Sequence, residues 1–278
     1  MLLKVAVGAL LLAIGMGSTF GDLIYIWRRP GLLVRSLLAM YLLVPMAAFL
    51  LVRFLPIGIS VKAALLVLAV SAGAPLLPRK LGSFGNGAYV FSLVVTSSLL
   101  ALIVVPLWIS LLSRYFGVAS DLQPGTVALV IGKSFLAPLL LGMLIRKIFP
   151  AIGERLSDRI LSIAGIVLTA CALVLLVTHW DLFLAVSWKG MAILVALMLI
   201  ALAIGHAVGG PTPEDRTVLA VACATRHIGI AVLVAATFPG PGTAVLIVAY
   251  VVASAAVSIP YLKWRLRKSA HTRQAEPL

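Results

Sequence analysis

The sequence predicts an all-α polytopic membrane protein of about nine transmembrane helices, arranged as inverted repeats with two broken helices. Three observations predict it. Hydrophobic residues fill 63% of the 278 positions and charged residues only 11%, a balance foreign to soluble domains of this size. The apolar residues gather in runs near the ~20 residues that a membrane-crossing helix needs. The charges lie almost entirely between those runs.

The runs are Leu2–Thr19, Leu32–Phe54, Val61–Ala74, Ala88–Leu112, Thr126–Ile145, Ile160–Val177, Met191–Val208, Val218–Phe238 and Thr243–Leu262. The first has the look of a signal peptide, with Lys4 ahead of an apolar core. No A-x-A cleavage pattern follows Gly15-Met16-Gly17-Ser18-Thr19, so it is read as a retained span. The third is too short to cross alone. It runs into Gly73-Ala74-Pro75-Leu76-Leu77-Pro78-Arg79-Lys80, where two prolines remove backbone donors and break the helix. Broken backbone at membrane depth is tolerated only when buried in protein or lining a cavity.

The eighth run carries Ala222-Cys223-Ala224-Thr225-Arg226-His227-Ile228-Gly229 near its middle. An arginine at mid-membrane costs about 2.5–3.5 kcal/mol on insertion scales, so it belongs against a polar cavity or a partner. The bland alternative is a helix that ends early, with Arg226 snorkelling to one surface. Roughly ten apolar residues on either side leave neither surface near.

Charge placement gives the topology. With the C-terminus inside and nine spans, 15 Lys/Arg fall inside and 5 outside, Lys133 and Arg226 lying within spans to complete the 22. That bias follows the positive-inside rule and puts the N-terminus outside and the C-terminus in the cytoplasm of a bacterial-type inner membrane. The net charge of +14 is thereby accounted for without nucleic acid. All 8 acidic residues lie in loops or at ends, which leaves no mid-membrane carboxylate for a cation or proton. Cys171 and Cys223 both sit in apolar runs and read as buried free thiols. His206 and His179 read as interfacial. Lys133 is balanced between snorkelling and facing a cavity. Ser/His/Asp and Walker-type patterns are absent, so neither a hydrolase nor an ATP-driven pump is expected, and no cofactor.

An internal repeat is also visible. Val67-Leu68-Ala69-Val70 returns as Val218-Leu219-Ala220-Val221, each copy running into a break. A Gly-x-Gly follows each (85–87, 240–242), then a span with proline near its end (Pro106, Pro260). The copies lie on the third and eighth spans, five apart, an odd offset that makes them cross in opposite senses, the pattern of secondary transporters whose breaks mark the binding site. The whole chain reads as one transmembrane domain, with repeat one about 1–115, repeat two about 124–268 and a cytoplasmic tail 269–278.

With these residues in view, the chain resembles the bile acid:sodium symporter family along nearly its whole length. The matching stretches are Gly15-Met16-Gly17-Ser18-Thr19, Arg29-Pro30, Pro45, Gly73-Ala74-Pro75, Lys133-x4-Pro138-x3-Gly142-x4-Lys147 and Thr217 to Ala231. The resemblance implies a secondary carrier of inverted five-helix repeats, here lacking the first helix, with two broken helices crossing at the centre. Substrate contacts are expected where the two breaks meet, at Thr225, Arg226, His227, Gly229, Gly73, Ala74 and Pro75, because paired breaks mark the binding site and a guanidinium fits a carboxylate. Where relatives use a glutamate, a glutamine and an asparagine for sodium, this chain has Ala222, Arg226 and His227. Leu76, Leu77 and Met40 replace further polar ligands, and Thr96, Ser97 and Ser98 remain as possible ion ligands. Sodium prefers a set of oxygen ligands including carboxylate, and these departures put sodium coupling in doubt. The functional expectation is a small organic anion carried by alternating access, with a membrane sensor or channel on the same scaffold as the alternative. Substrate, direction and oligomeric state are not encoded legibly.

Overall fold

The computed structural model describes residues 2–71, 77, 81, 86–116, 125, 129, 132–178, 180–181, 188–226, 231 and 242–275. Among these residues the regular elements are all helical. In chain order they are α1 (Leu2–Met16), α2 (Phe20–Leu23), α3 (Pro30–Leu38), π1 (Ala39–Leu43), α4 (Val44–Phe54), α5 (Ile59–Val70), α6 (Gly87–Phe116), π2 (Gly132–Leu136), α7 (Ala137–Ile148), α8 (Pro150–Thr178), α9 (Trp188–Val208), α10 (Pro213–Ala224) and α11 (Gly242–Ala275).

Both π turns have the same cause. Each lies just ahead of a proline in the first turn of the helix that follows, Pro45 in α4 and Pro138 in α7. Proline has no N–H, and its ring collides with the carbonyl four residues earlier in a regular α-helix. A wider turn takes that carbonyl out of the way, and π turns occur as such single-turn insertions. Proline at the second and fifth spans was thus a visible signal for a local departure from the α-helix.

The continuous element from α3 through π1 to α4 shows why this is a membrane protein. Val34, Leu38, Leu42, Met46, Leu50 and Phe54 recur every fourth residue, each between 42% and 75% exposed. The opposite row, Leu32, Ser36, Met40, Val44, Ala48 and Val52, is at most 7% exposed. A second outward row on α6 is Leu99, Ile103, Leu107 and Leu111. Continuous apolar stripes facing outward are an aggregation hazard in water and the natural surface against lipid. Pro30–Phe54, Gly87–Trp108 and Trp188–Val208 are each long and apolar enough to cross a membrane.

Inward, the side chains form two cores. The larger joins α3, π1, α4, α5, α6, α9, α10 and α11. The smaller joins α1, α7 and α8 through Leu10, Ile14, Leu139, Met143 and Ala164, with Phe91 and Val95 of α6 completing it. Helix α6 therefore serves both.

Several boundaries differ from the sequence reading. Residues 150–159, expected as part of a cytoplasmic loop, form the first turns of α8. Arg146 holds that start, donating from Nη1 to the Pro150 carbonyl at 2.9 Å and pairing with Glu154 at 3.1 Å. The segment expected as a tail is helical to Ala275, because α11 continues without a stop signal after Leu262. At the third span, α5 ends at Val70, earlier than the Gly/Pro stretch. The Ser71 hydroxyl donates to the Val67 carbonyl at 2.6 Å, a side-chain bond that competes with helix continuation.

Candidate functional site

Helix α10 is fixed firmly at its start. The Thr212 hydroxyl accepts the Asp215 N–H at 3.1 Å, satisfying one of the donors a helix N-terminus leaves free. Arg265 of α11 reaches across, donating from Nε to Thr217 Oγ1 at 2.8 Å and from Nη2 to the Pro213 carbonyl at 2.8 Å. Every residue from Thr217 to Ala224 is then completely buried. The helix stops at Ala224, in the middle of the apolar run. Thr225 is extended (φ −104°, ψ 118°), and its N–H turns back onto the Val221 and Ala222 carbonyls.

Arg226 follows directly and is only 3% exposed, so it does not snorkel to a surface. Its Nη1 and Nη2 are buried and make no hydrogen bond among the described residues. A buried ionised group is strongly unfavourable unless it is hydrogen-bonded; the Tyr250 hydroxyl stands within hydrogen-bonding reach of the guanidinium, while Nη1 and Nη2 have no partner among the described residues. The guanidinium charge acts on Tyr41 of π1, on Cys223 and on Tyr250 of α11.

Two tyrosines dress the backbone around this charge. Tyr250 donates its hydroxyl to the Ala224 carbonyl at 2.6 Å, and the Ser254 hydroxyl approaches the same oxygen at 3.4 Å. That carbonyl lost its helical partner when α10 ended. Tyr41 donates to the Ser97 carbonyl, which ties π1 to the polar triplet on α6. Within that triplet the Ser97 and Ser98 hydroxyls donate to the Val94 carbonyl at 3.0 and 2.7 Å. Thr96 Oγ1 accepts the Trp27 indole N–H at 3.2 Å. All three are at most 3% exposed.

Thr225 and Arg226 follow the end of α10, and the 96–98 triplet lies on α6, tied to π1 through Tyr41. His227, Gly229, Gly73, Ala74, Pro75 and Pro78 lie outside the described residues. Tyr41, Tyr250 and Ser254 were missed in the sequence, though a signal existed for two of them. Tyr41 stands four residues before Pro45, and Ser254 one turn beyond Tyr250 in an otherwise apolar run.

A separate cavity of about 390 Å³ opens between α1, α6 and α8, with Ser18, Asp22, Ser157 and Asp158 among its lining. Among the described residues, none of its lining comes from α10 or α11. At the far end of α9, His206 Nδ1 meets the Tyr261 hydroxyl at 2.7 Å beside the Trp264 ring, an aromatic cluster of the kind that gathers at membrane interfaces.

A family model described as the sodium bile acid symporter family matches residues 4–186. The chain belongs to that family. It is accordingly an integral membrane protein of a transporter family. The match ends ahead of α9 and α10, so the arginine-bearing break falls outside the matched stretch. No curated protein matches the chain at a meaningful level.

Proposed function

We propose that this sodium bile acid symporter family member is a secondary carrier that moves a small organic anion by alternating access. One observation carries the reading: Arg226, buried at the end of α10 with both terminal nitrogens unpaired among the described residues. A guanidinium presents two parallel donors that fit a carboxylate edge-on and stays charged at any working pH. The partial positive ends of half-helices at paired breaks would add to it. Substrate contacts are assigned to Thr225, Arg226, His227 and Gly229 with Gly73, Ala74 and Pro75 of the other break. The nine-span, inverted-repeat arrangement and the bacterial-type inner membrane with an external N-terminus belong to the same proposal.

Arg226 also takes the part of a tethered cation, so uptake does not require sodium. Thr96, Ser97 and Ser98 are the ligands to consider if sodium does bind. The test is counterflow in proteoliposomes with a panel of labelled organic acids. A carrier exchanges labelled for unlabelled substrate, which a channel or sensor does not. Exchange that persists when potassium replaces sodium, and is lost in Arg226→Gln, supports the reading. Wild-type exchange that collapses without sodium overturns the tethered-cation part.

A further inference from the structure

Resting on that reading, we infer that Tyr250 and Tyr41 are positioning residues that close the central backbone oxygens against a metal cation. Their hydroxyl hydrogens, together with the Arg226 charge, take the place such an ion would occupy. A bare sodium ion in a dry interior must replace its water shell with several protein oxygens, chiefly carbonyls that unwound helix ends set free. Here the carbonyl freed at the end of α10 already holds hydrogens. The Ala224 carbonyl has two acceptor sites. Tyr250 fills one at 2.6 Å and Ser254 addresses the other at 3.4 Å. The Ser97 carbonyl lies within α6 and accepts the Tyr41 hydroxyl besides its place in the helical ladder.

The geometry has a second consequence. Both tyrosines have spent their protons on carbonyls, so each can meet a cation only as an acceptor. The Tyr250 hydroxyl, donating to the Ala224 carbonyl and within reach of the guanidinium, points its negative end toward the charge and its positive end toward the backbone. This lowers the cost of holding a fixed positive charge there and leaves it unattractive to a second one. Tyr250 also ties the broken helix to α11, and Tyr41 ties π1 to α6. The oxygens are thereby kept at hydrogen-bond spacing.

The experiment is thermal unfolding of the purified full-length protein in sodium chloride against choline chloride at equal ionic strength. Sodium alone is the probe. Wild type, Arg226→Gln, Tyr250→Phe and the double variant are compared, with Arg226→Gln/Tyr41→Phe as a second double in case the first does not fold. The expected result is no sodium-specific shift in wild type, little in either single variant, and a sodium-specific rise of about 3–5 °C in the doubles. A rise of that size follows when sodium at roughly ten times its Kd or more binds only the folded form. A merely structural tyrosine would lower stability equally in both salts. Doubles without a sodium-specific rise, or Arg226→Gln alone rising as much as they do, overturn the role given to the tyrosines. A sodium-specific rise in wild type instead overturns the tethered cation proposed above.

Discussion

Gly15 of α1 and Gly142 of α7 meet backbone to backbone. A Cβ on Gly15 would collide with the Leu139 carbonyl oxygen, and one on Gly142 with the carbonyl oxygen of Leu12. Small residues at such crossings let membrane helices approach closely enough for packing to hold them. Either glycine changed to alanine forces backbone, not a flexible side chain, to move. The expected cost is about 1–3 kcal/mol, read as a lower melting temperature in detergent, with the double variant costing less than the sum because one crossing is lost only once.

Arg226→Gln should abolish anion uptake while leaving the folded protein at least as stable. It removes an uncompensated buried charge along with the ligand. Losing a charge-assisted hydrogen bond costs about 1.5–3 kcal/mol, or ~10–150-fold in affinity. Arg226→Lys should restore little, since an ammonium is a point charge without the planar fork. Uptake kinetics beside thermal unfolding of the same preparations separate the two effects; normal uptake in Arg226→Gln would remove the arginine from the site.

Thr217→Val should destabilise α10 by about 1.5–3 kcal/mol. It leaves the Nε–H of Arg265, itself only 6% exposed, without its acceptor, and the lost bond is one to a charged group. Hydrogen exchange should quicken in 213–224 more than elsewhere. An unchanged melting temperature would mean that the Pro213 carbonyl contact suffices.

Topology is testable without structure. Single cysteines at Ala119 and Ala270, introduced after Cys171 and Cys223 are replaced, should label from opposite sides of intact cells. Labelling from the same side would overturn the nine-span orientation.

The sequence disclosed the class and the position of the arginine because both follow from composition and run length. Sixty-three per cent hydrophobic residues admit few other architectures, and an arginine in an apolar run stands out against its neighbours. Pro45 and Pro138 announced irregular turns, and Gly15 and Gly142 stood within the stretches that carried the family resemblance. Hydrogen-bond partners were not legible. Nothing local to Tyr250 says that Ala224, 26 positions earlier, ends a helix there. Nothing local to Arg265 names Thr217. The extended ends of α8 and α11 were missed because polar residues at a membrane surface fit a solvated helix as well as a loop.

The π turn at Ala39–Leu43 also fixes the reading frame of the helix that contains it. In an α-helix each residue turns the chain by about 100°. Deleting one residue between 39 and 43 would let Pro45 clash again and swing everything beyond by roughly that angle. Val44, Ala48 and Val52, now buried, would then turn out of the core, and Met46, Leu50 and Phe54 would leave the lipid face. A substitution in this segment perturbs one contact; a deletion mis-addresses half a helix, so length there is under tighter constraint than identity.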